Sequence, residues 1–264
     1  MTIIDAPEIP LSAPVNLRDL GGIAIAGGVI RPGFAIRADD LATVTADTAD
    51  GLVEEGLSAV IDLRSPEEVA LTGRGPFSAH GSVVYHHIPF LTTLAEAVEA
   101  SGGTEVAPAA DPFDQSSFGR MYRRMYSGAA SRIVTALAII AHSRGAVAFH
   151  CAAGQDRTGV LAASLLLALG AEPEVILADY VRTGENSAAI HRRILPVIGP
   201  LMRSRGLDLD FGARAAVRSE FSPAPMLELL GSLSEAGADP LALLRAAGLT
   251  DGLVDRLRER ALEG

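Results

Sequence analysis

Residues 146–170 constrain the fold of this chain more than any other stretch. Gly145 breaks the preceding pattern, and residues 146–149 form a short apolar run with strand character. Residues 160–169 are apolar and close on Gly170, as a buried helix with a glycine stop would. Between them, Phe149-His150-Cys151-Ala152-Ala153-Gly154-Gln155-Asp156-Arg157-Thr158-Gly159 leaves room for a single tight turn, with a helix beginning near Arg157. Strand, turn and helix in that order is a building unit of sheets covered by helices.

The rest of the chain repeats the alternation. Residues 34–37 and 59–63 read as strands, Pro66 opens the next element, and residues 83–89 are β-rich. Residues 100–112, rich in Gly, Ala and Pro, read as a loop. Helices are expected over 116–126 and 129–142, the second with Ile133, Leu137 and Ile140 at helical spacing. Pro173 suits the first turn of a helix to about Arg182, followed by helices over 186–203, 225–236, 240–247 and 252–262. The expected architecture is an α/β sheet with a helical C-terminal end. A chain of 264 residues, 48% hydrophobic, can bury a full core. Its apolar runs are too short for a bilayer, and residues 1–10 hold acids and no basic leader. With one cysteine there is no intramolecular disulfide and no cysteine-rich zinc site, so a cytoplasmic location is expected.

Charge narrows the chemistry. All 22 basic residues are arginine, which excludes Schiff-base, Walker-type and kinase-type lysine chemistry. The net charge of −10 argues against nucleic acid as a partner, but it is unevenly spread: −12 over 1–114, +5 over 115–220 and −3 over 221–264. Within 115–171 Asp156 is the only acid, among six arginines. A cationic centre in an acidic chain suggests an anionic ligand. Arg120, Arg123 and Arg124 read as a solvated helix face, with attraction of phosphorylated substrates as the alternative.

A turn such as 151–156 can point successive backbone N–H groups inward as an anion cradle. Gly154 suits a backbone that bends closely around a ligand. A thiol over such a nest is favoured as the thiolate, which is the nucleophile. Arg157 can return to the same anion and grip two oxygens with its planar fork, and Thr158 can offer its hydroxyl to the sulfur. A lone cysteine is ordinarily a small buried hydrophobe. That reading leaves His150, Gly154, Arg157, Thr158 and Gly159 at their fixed offsets unexplained. Cys151 reads as the nucleophile of a phosphate-monoester reaction.

The segment His-Cys-x5-Arg-Thr-Gly resembles the phosphate-binding loop of cysteine-dependent protein tyrosine phosphatases. It is similar in particular to a bacterial branch of atypical tyrosine or dual-specificity phosphatases that includes phosphoinositide phosphatases. Asn16-Leu17-Arg18-Asp19-Leu20-Gly21-Gly22, Arg31-Pro32-Gly33, residues 61–65 (Ile-Asp-Leu-Arg-Ser) and Ala247-Gly248-Leu249-Thr250 extend the likeness over nearly the whole chain. The resemblance implies one domain over 1–264, built on a cysteine-phosphatase-like, mostly parallel central sheet flanked by helices. Residues 185–224 would be a candidate helical lid and 225–264 the C-terminal helices. It implies Cys151, Asp156 and Arg157 as catalytic, with Ala152, Ala153, Gly154, Gln155 and Thr158 completing the phosphate-binding loop.

The leaving oxygen needs a proton and the attacking water needs a base. The branch favours the loop aspartate before the arginine, here Asp156; Asp62, Asp111 and Asp114 are the alternatives. Asp62 reads better as the partner that orients Arg64. Asn16, Arg18 and Asp19 either line the pocket or clip the N-terminal segment to the sheet, and His150 is expected beneath the loop, bonding backbone. His86 and His87 face opposite ways on a strand with no third ligand, so no metal is assigned, and the chemistry needs no cofactor.

The expected reaction is hydrolysis of protein phosphotyrosine through a cysteinyl-phosphate. The alternatives are a small phosphorylated metabolite, such as a nucleotide or sugar phosphate, then a phosphoinositide, or an inactive phospho-binding module. Gln155 stands where the branch commonly has lysine, which, with the acidic total, points away from phosphoinositides and from membranes. Sulfur transferases lack the returning arginine, and arsenate reductases need further cysteines. The sequence sets no oligomeric state.

Overall fold

Five strands hydrogen-bond in the order β1-β4-β7-β5-β6 in the computed structural model, which describes residues 9–91, 118–204, 221–234 and 239–262. The strands are β1 (Arg18–Asp19), β4 (Ala35–Ala38), β5 (Leu57–Asp62), β6 (Val84–His87) and β7 (Ala146–His150). β1 runs antiparallel to β4, and all other pairs are parallel. A two-stranded ribbon, β2 (Ala24–Ile25) with β3 (Gly28–Val29), precedes the sheet's first parallel strand. These strand pairs are too short to show a sequence period.

Alternation along the central strands divides the core between the two sheet faces. Ala146 and Ala148 of β7, with Ile36 and Val60, pack with Leu52 of helix α1 (Ala46–Glu54) and with Phe77. Val147 and Phe149, with Ala35 and Ile61, face the larger cluster. That cluster takes residues from α3 (Gly119–Gly128), α4 (Ala130–His142), α5 (Asp156–Leu169), α6 (Pro173–Glu185), α8 (Ala224–Leu233), α9 (Ala242–Ala246) and α10 (Asp251–Leu262). Helix α2 (Pro66–Thr72) follows β5, and α7 (Ser187–Ser204) follows α6. The α/β expectation therefore holds, including the helical C-terminal end.

The central helix α5 is buried on nearly all sides, which accounts for its almost wholly apolar sequence after Thr158. Gly170 ends it in the left-handed conformation at φ +79°. The C-terminal helix α10 is fastened by Arg260, which donates to the carbonyls of Ser143 and Phe34 and stacks over the Phe34 ring. The loop expected over 100–112, and Asp111 and Asp114 with it, lie outside the described residues. Among the described residues no helix is long and apolar enough to cross a membrane.

Candidate active site

Parallel strands end together, and β4, β7 and β5 end side by side: Ala38 is level with His150, and His150 with Asp62. Ligands in such sheets gather at this carboxyl edge. Cys151 is the first residue past β7 and is only 1% exposed. The loop that follows turns its carbonyls outward. Ala152 O accepts from Asp40 N at 3.0 Å, Ala153 O and Gly154 O accept from Asn16 Nδ2 at 3.2 Å each, and Gly154 O also accepts from Arg37 Nη2 at 2.9 Å. Among the described residues the N–H groups of 152–155 have no such partner. A loop whose acceptors are engaged behind it and whose donors are unspent is built to bind an oxyanion.

Gly154 is required by a close approach of two backbone segments. Its φ is +68°, and a Cβ there would lie 2.6 Å from Ala38 O. The close approach is to the end of β4, and it leaves no room for a side chain at this turn.

Behind the loop lies a buried charge cluster. Arg18 Nε bonds Asp179 Oδ1 at 2.9 Å, Arg37 Nη1 pairs with Asp179 Oδ2, and Arg18 Nη1 donates to Asn16 Oδ1 at 2.7 Å. Arg18 also reaches Asp179 O and Thr183 Oγ1. Burial alone would raise the Asp179 carboxyl, but the Arg37 and Arg18 charges outweigh it and hold it below the usual range. Burial, with Arg37 beside it, lowers Arg18 to about 10. Asn16 and Arg18 are thus loop braces rather than pocket lining. Asp19 instead clips a turn through Gly21 N and Gly33 N.

Arg157 is held end-on by Glu68, with Nη1–Oε2 at 2.5 Å and Nη2–Oε1 at 2.8 Å. This pairing uses the two terminal nitrogens and leaves the side-on edge through Nε for an anion. Glu68 belongs to a capping box on α2, where its Oε2 accepts from Ser65 N at 2.7 Å. Burial would raise Glu68, but Arg157's charge and hydrogen bonds lower it. Asp62 and Arg64 sit one layer further back. Arg64 is spent on Asp62, Asp40, Thr72 Oγ1 and Gly73 O, so it pins the C-terminal end of α2 to the end of β5 and does not enter the site. Burial would raise the Asp62 carboxyl, yet His150, Arg64 and Tyr85 together hold it well below the usual range. It is an ion-pair partner and poorly suited to proton donation.

Asp156, at the first turn of α5, has the opposite character. Burial pushes its carboxyl up, against the Tyr122 hydroxyl and the Arg157 charge. Tyr122 donates to Oδ1 at 2.8 Å. A carboxyl whose pKa burial raises holds its proton more readily as an acid, and once ionised it is a usable base. His150 lies beneath the loop with Nδ1 3.3 Å from Leu41 N and 3.2 Å from Cys151 O, and burial lowers its pKa. The expected bond from Thr158 to the sulfur is not formed. Thr158 lies in the first turn of α5, which fixes the direction of its side chain, and its buried hydroxyl has no partner among the described residues.

Arg120, Arg123 and Arg124 are exposed on α3, and Arg123 pairs with Glu228 of α8 at 3.0 Å. His87 bonds Arg64 O at 2.8 Å, while His86 lines a separate cavity of about 580 Å³ between β6 and α4. From the lid candidate, α7 is tied down by Arg193, which bonds Asp39 at 2.6 Å and Asp40 O at 2.8 Å; residues 205–220 lie outside the described residues. Sequence reasoning missed Arg37, Glu68, Tyr122, Asp179 and Tyr180. Arg37 interrupting an apolar strand and Glu68 three residues past Ser65 were legible signals; the tyrosines and Asp179 carried none.

Comparison with known proteins agrees with this geometry. The sequence pattern of the tyrosine phosphatase family matches residues 9–263. A Cupriavidus necator protein named as a candidate tyrosine-protein phosphatase is 31% identical over 219 residues, 76% of this chain and 75% of its own. The triple specificity protein phosphatase PtpB of Mycobacterium tuberculosis is 28% identical over 279 aligned positions, 92% of this chain and 95% of its own.

Proposed function

The chain belongs to the tyrosine phosphatase family and is a cysteine-dependent phosphatase, and on that premise we propose that it hydrolyses protein phosphotyrosine through a phosphoryl group carried on Cys151. The observation that carries this reading is the loop of unspent amides between a buried cysteine and a tethered arginine. In the first step the Cys151 thiolate attacks phosphorus. The amides of 152–155 and Arg157 stabilise the equatorial oxygens, and the Asp156 proton passes to the leaving phenol oxygen. In the second, ionised Asp156 takes a proton from water as the water oxygen displaces sulfur and releases phosphate. No cofactor enters the scheme.

The depth of Cys151 favours an aryl phosphate, whose ring can carry the phosphate further from a peptide backbone than a serine side chain does. The same depth favours a small phosphorylated metabolite as the second reading. A panel of phosphotyrosine peptide, phosphoserine peptide, nucleotide monophosphate and phosphoinositide, ranked by kcat/KM, tests both. The first reading requires the phosphotyrosine peptide to lead, and a leading nucleotide replaces it with the second. No turnover of any of them, or of p-nitrophenyl phosphate, leaves a phospho-binding module. In this reading the whole chain acts as one domain, with α7 as the cover beside the loop.

Asp156→Asn is expected to lower kcat about a hundredfold or more, the usual scale for loss of a general acid–base. An unchanged pH–rate profile in that variant would move the role to Asp111 or Asp114. Because burial raises the Asp156 carboxyl in the folded chain, ionisation costs stability as pH rises above the unfolded carboxylate range. The same variant is therefore expected to raise the thermal midpoint at pH 7 while slowing turnover.

Gln155→Lys restores the charge common in the resembling branch. Gained activity on phosphoinositides would assign substrate class to position 155. No gain would leave the glutamine with an internal role alone.

A further inference from the structure

Two phenols that the reaction scheme leaves unused meet behind Asp156. Tyr122 of α3 and Tyr180 of α6 are buried, stacked edge to face at 88°, with hydroxyl oxygens 2.8 Å apart. Tyr122 donates to Asp156 Oδ1 at 2.8 Å.

Counting protons fixes the direction of this chain. Each phenol has one. Tyr122 commits its proton to Asp156, so its oxygen accepts from Tyr180. Tyr180's proton is then committed too. The donors run one way, from Tyr180 to Tyr122 to Asp156.

We propose that this chain positions the transferable proton of Asp156, by occupying Oδ1 in both protonation states and leaving Oδ2 to carry and deliver the proton. The proposal rests on Asp156 being the acid and base of the reaction. Tyr122 and Tyr180 act through Asp156 and are positioning residues.

The charged and titratable groups around Asp156 are known from each packed element. Tyr122 faces it from α3 and Tyr180 from α6, while Arg157 lies beside it on α5. Glu68 of α2 and Cys151 act on Arg157, and Arg37 of β4 acts on Tyr180. Burial raises the carboxyl and the Tyr122 bond opposes that rise, so removing the hydroxyl should raise it further.

The test is the pH dependence of kcat/KM and kcat on a phosphotyrosine peptide. It is run for wild type, Tyr122→Phe, Tyr180→Phe and Asp156→Asn, with thermal midpoints as the folding control. In Tyr122→Phe the limb where the acid loses its proton is expected about one pH unit higher, the worth of a hydrogen bond to a charged group. Its kcat should fall while KM stays. Tyr180→Phe should shift the limb in the same direction by less, and it stands as the test should Tyr122→Phe fail to fold. An unmoved limb in both tyrosine variants, with the limb lost in Asp156→Asn, overturns the chain and keeps the acid. A limb that survives in Asp156→Asn overturns the acid itself, and the chain with it.

Discussion

Cys151→Ser should abolish turnover, by about four orders of magnitude or more, and still bind phosphate. The two halves of that result have separate physical origins. Turnover needs a nucleophile, and a serine hydroxyl is a weak one unless a base stands within reach. None is free in the first step: Asp156 must hold its proton for the leaving oxygen, His150 is buried and engaged with backbone, and Asp62 is committed to Arg64 and Tyr85. Phosphate binding, by contrast, depends on the loop amides and Arg157, which the substitution leaves in place. Steady-state turnover of p-nitrophenyl phosphate and calorimetric titration with inorganic phosphate measure the two halves. Wild-type activity in the serine variant would remove Cys151 from the reaction.

Asp179→Ala should be the most destabilising single change in the site. Arg18 and Arg37 share this one carboxylate, and its side chain is 2% exposed. Deleting it leaves two buried guanidiniums without a counter-charge, a loss of about 3–5 kcal/mol. In a chain of this size that is on the order of a 10 °C fall in the thermal midpoint. The pH dependence gives a second signature. The folded Asp179 carboxyl is held below its usual range, so its contribution is full above the unfolded value of about 4 and is lost as pH falls through the folded value. The stability gap between wild type and variant should therefore be widest near neutrality and close on acidification. Because Arg37 also holds Gly154 O, the variant should bind phosphate more weakly wherever it is folded. A variant as stable as wild type at pH 7 would show that the arginines do not depend on Asp179.

The part of the site that sequence made legible is the part written in consecutive residues. The strand, the cysteine turn, Asp156, Arg157 and the helix stop at Gly170 occupy one short stretch, and each carries its local rule. The bracing is different because its members come from far along the chain. Arg18 and Asp179 are separated by 161 positions and Arg157 and Glu68 by 89, and no local pattern links either pair. Glu68 shows how a correct local rule conceals a second role: its place in the capping box accounts for it fully until Arg157 is seen on the same carboxylate. Tyr122 and Tyr180 are core residues 58 positions apart, and only the fold reveals that their hydroxyls meet and that Tyr122 reaches Asp156. Gly154 meets Ala38, the last residue of a strand that no local pattern places beside the loop.

The two-step route through Cys151 is tested most directly by rapid acid quench of a single turnover with a phosphotyrosine peptide radiolabelled in its phosphate. The predicted result is label bound to protein in the first turnover, located on the peptide that contains Cys151 and absent from Cys151→Ser. Asp156→Asn should prolong the label's lifetime, because the water that removes it lacks its base. Full release of tyrosine with no protein-bound label at any quench time, or label retained in Cys151→Ser, would contradict it.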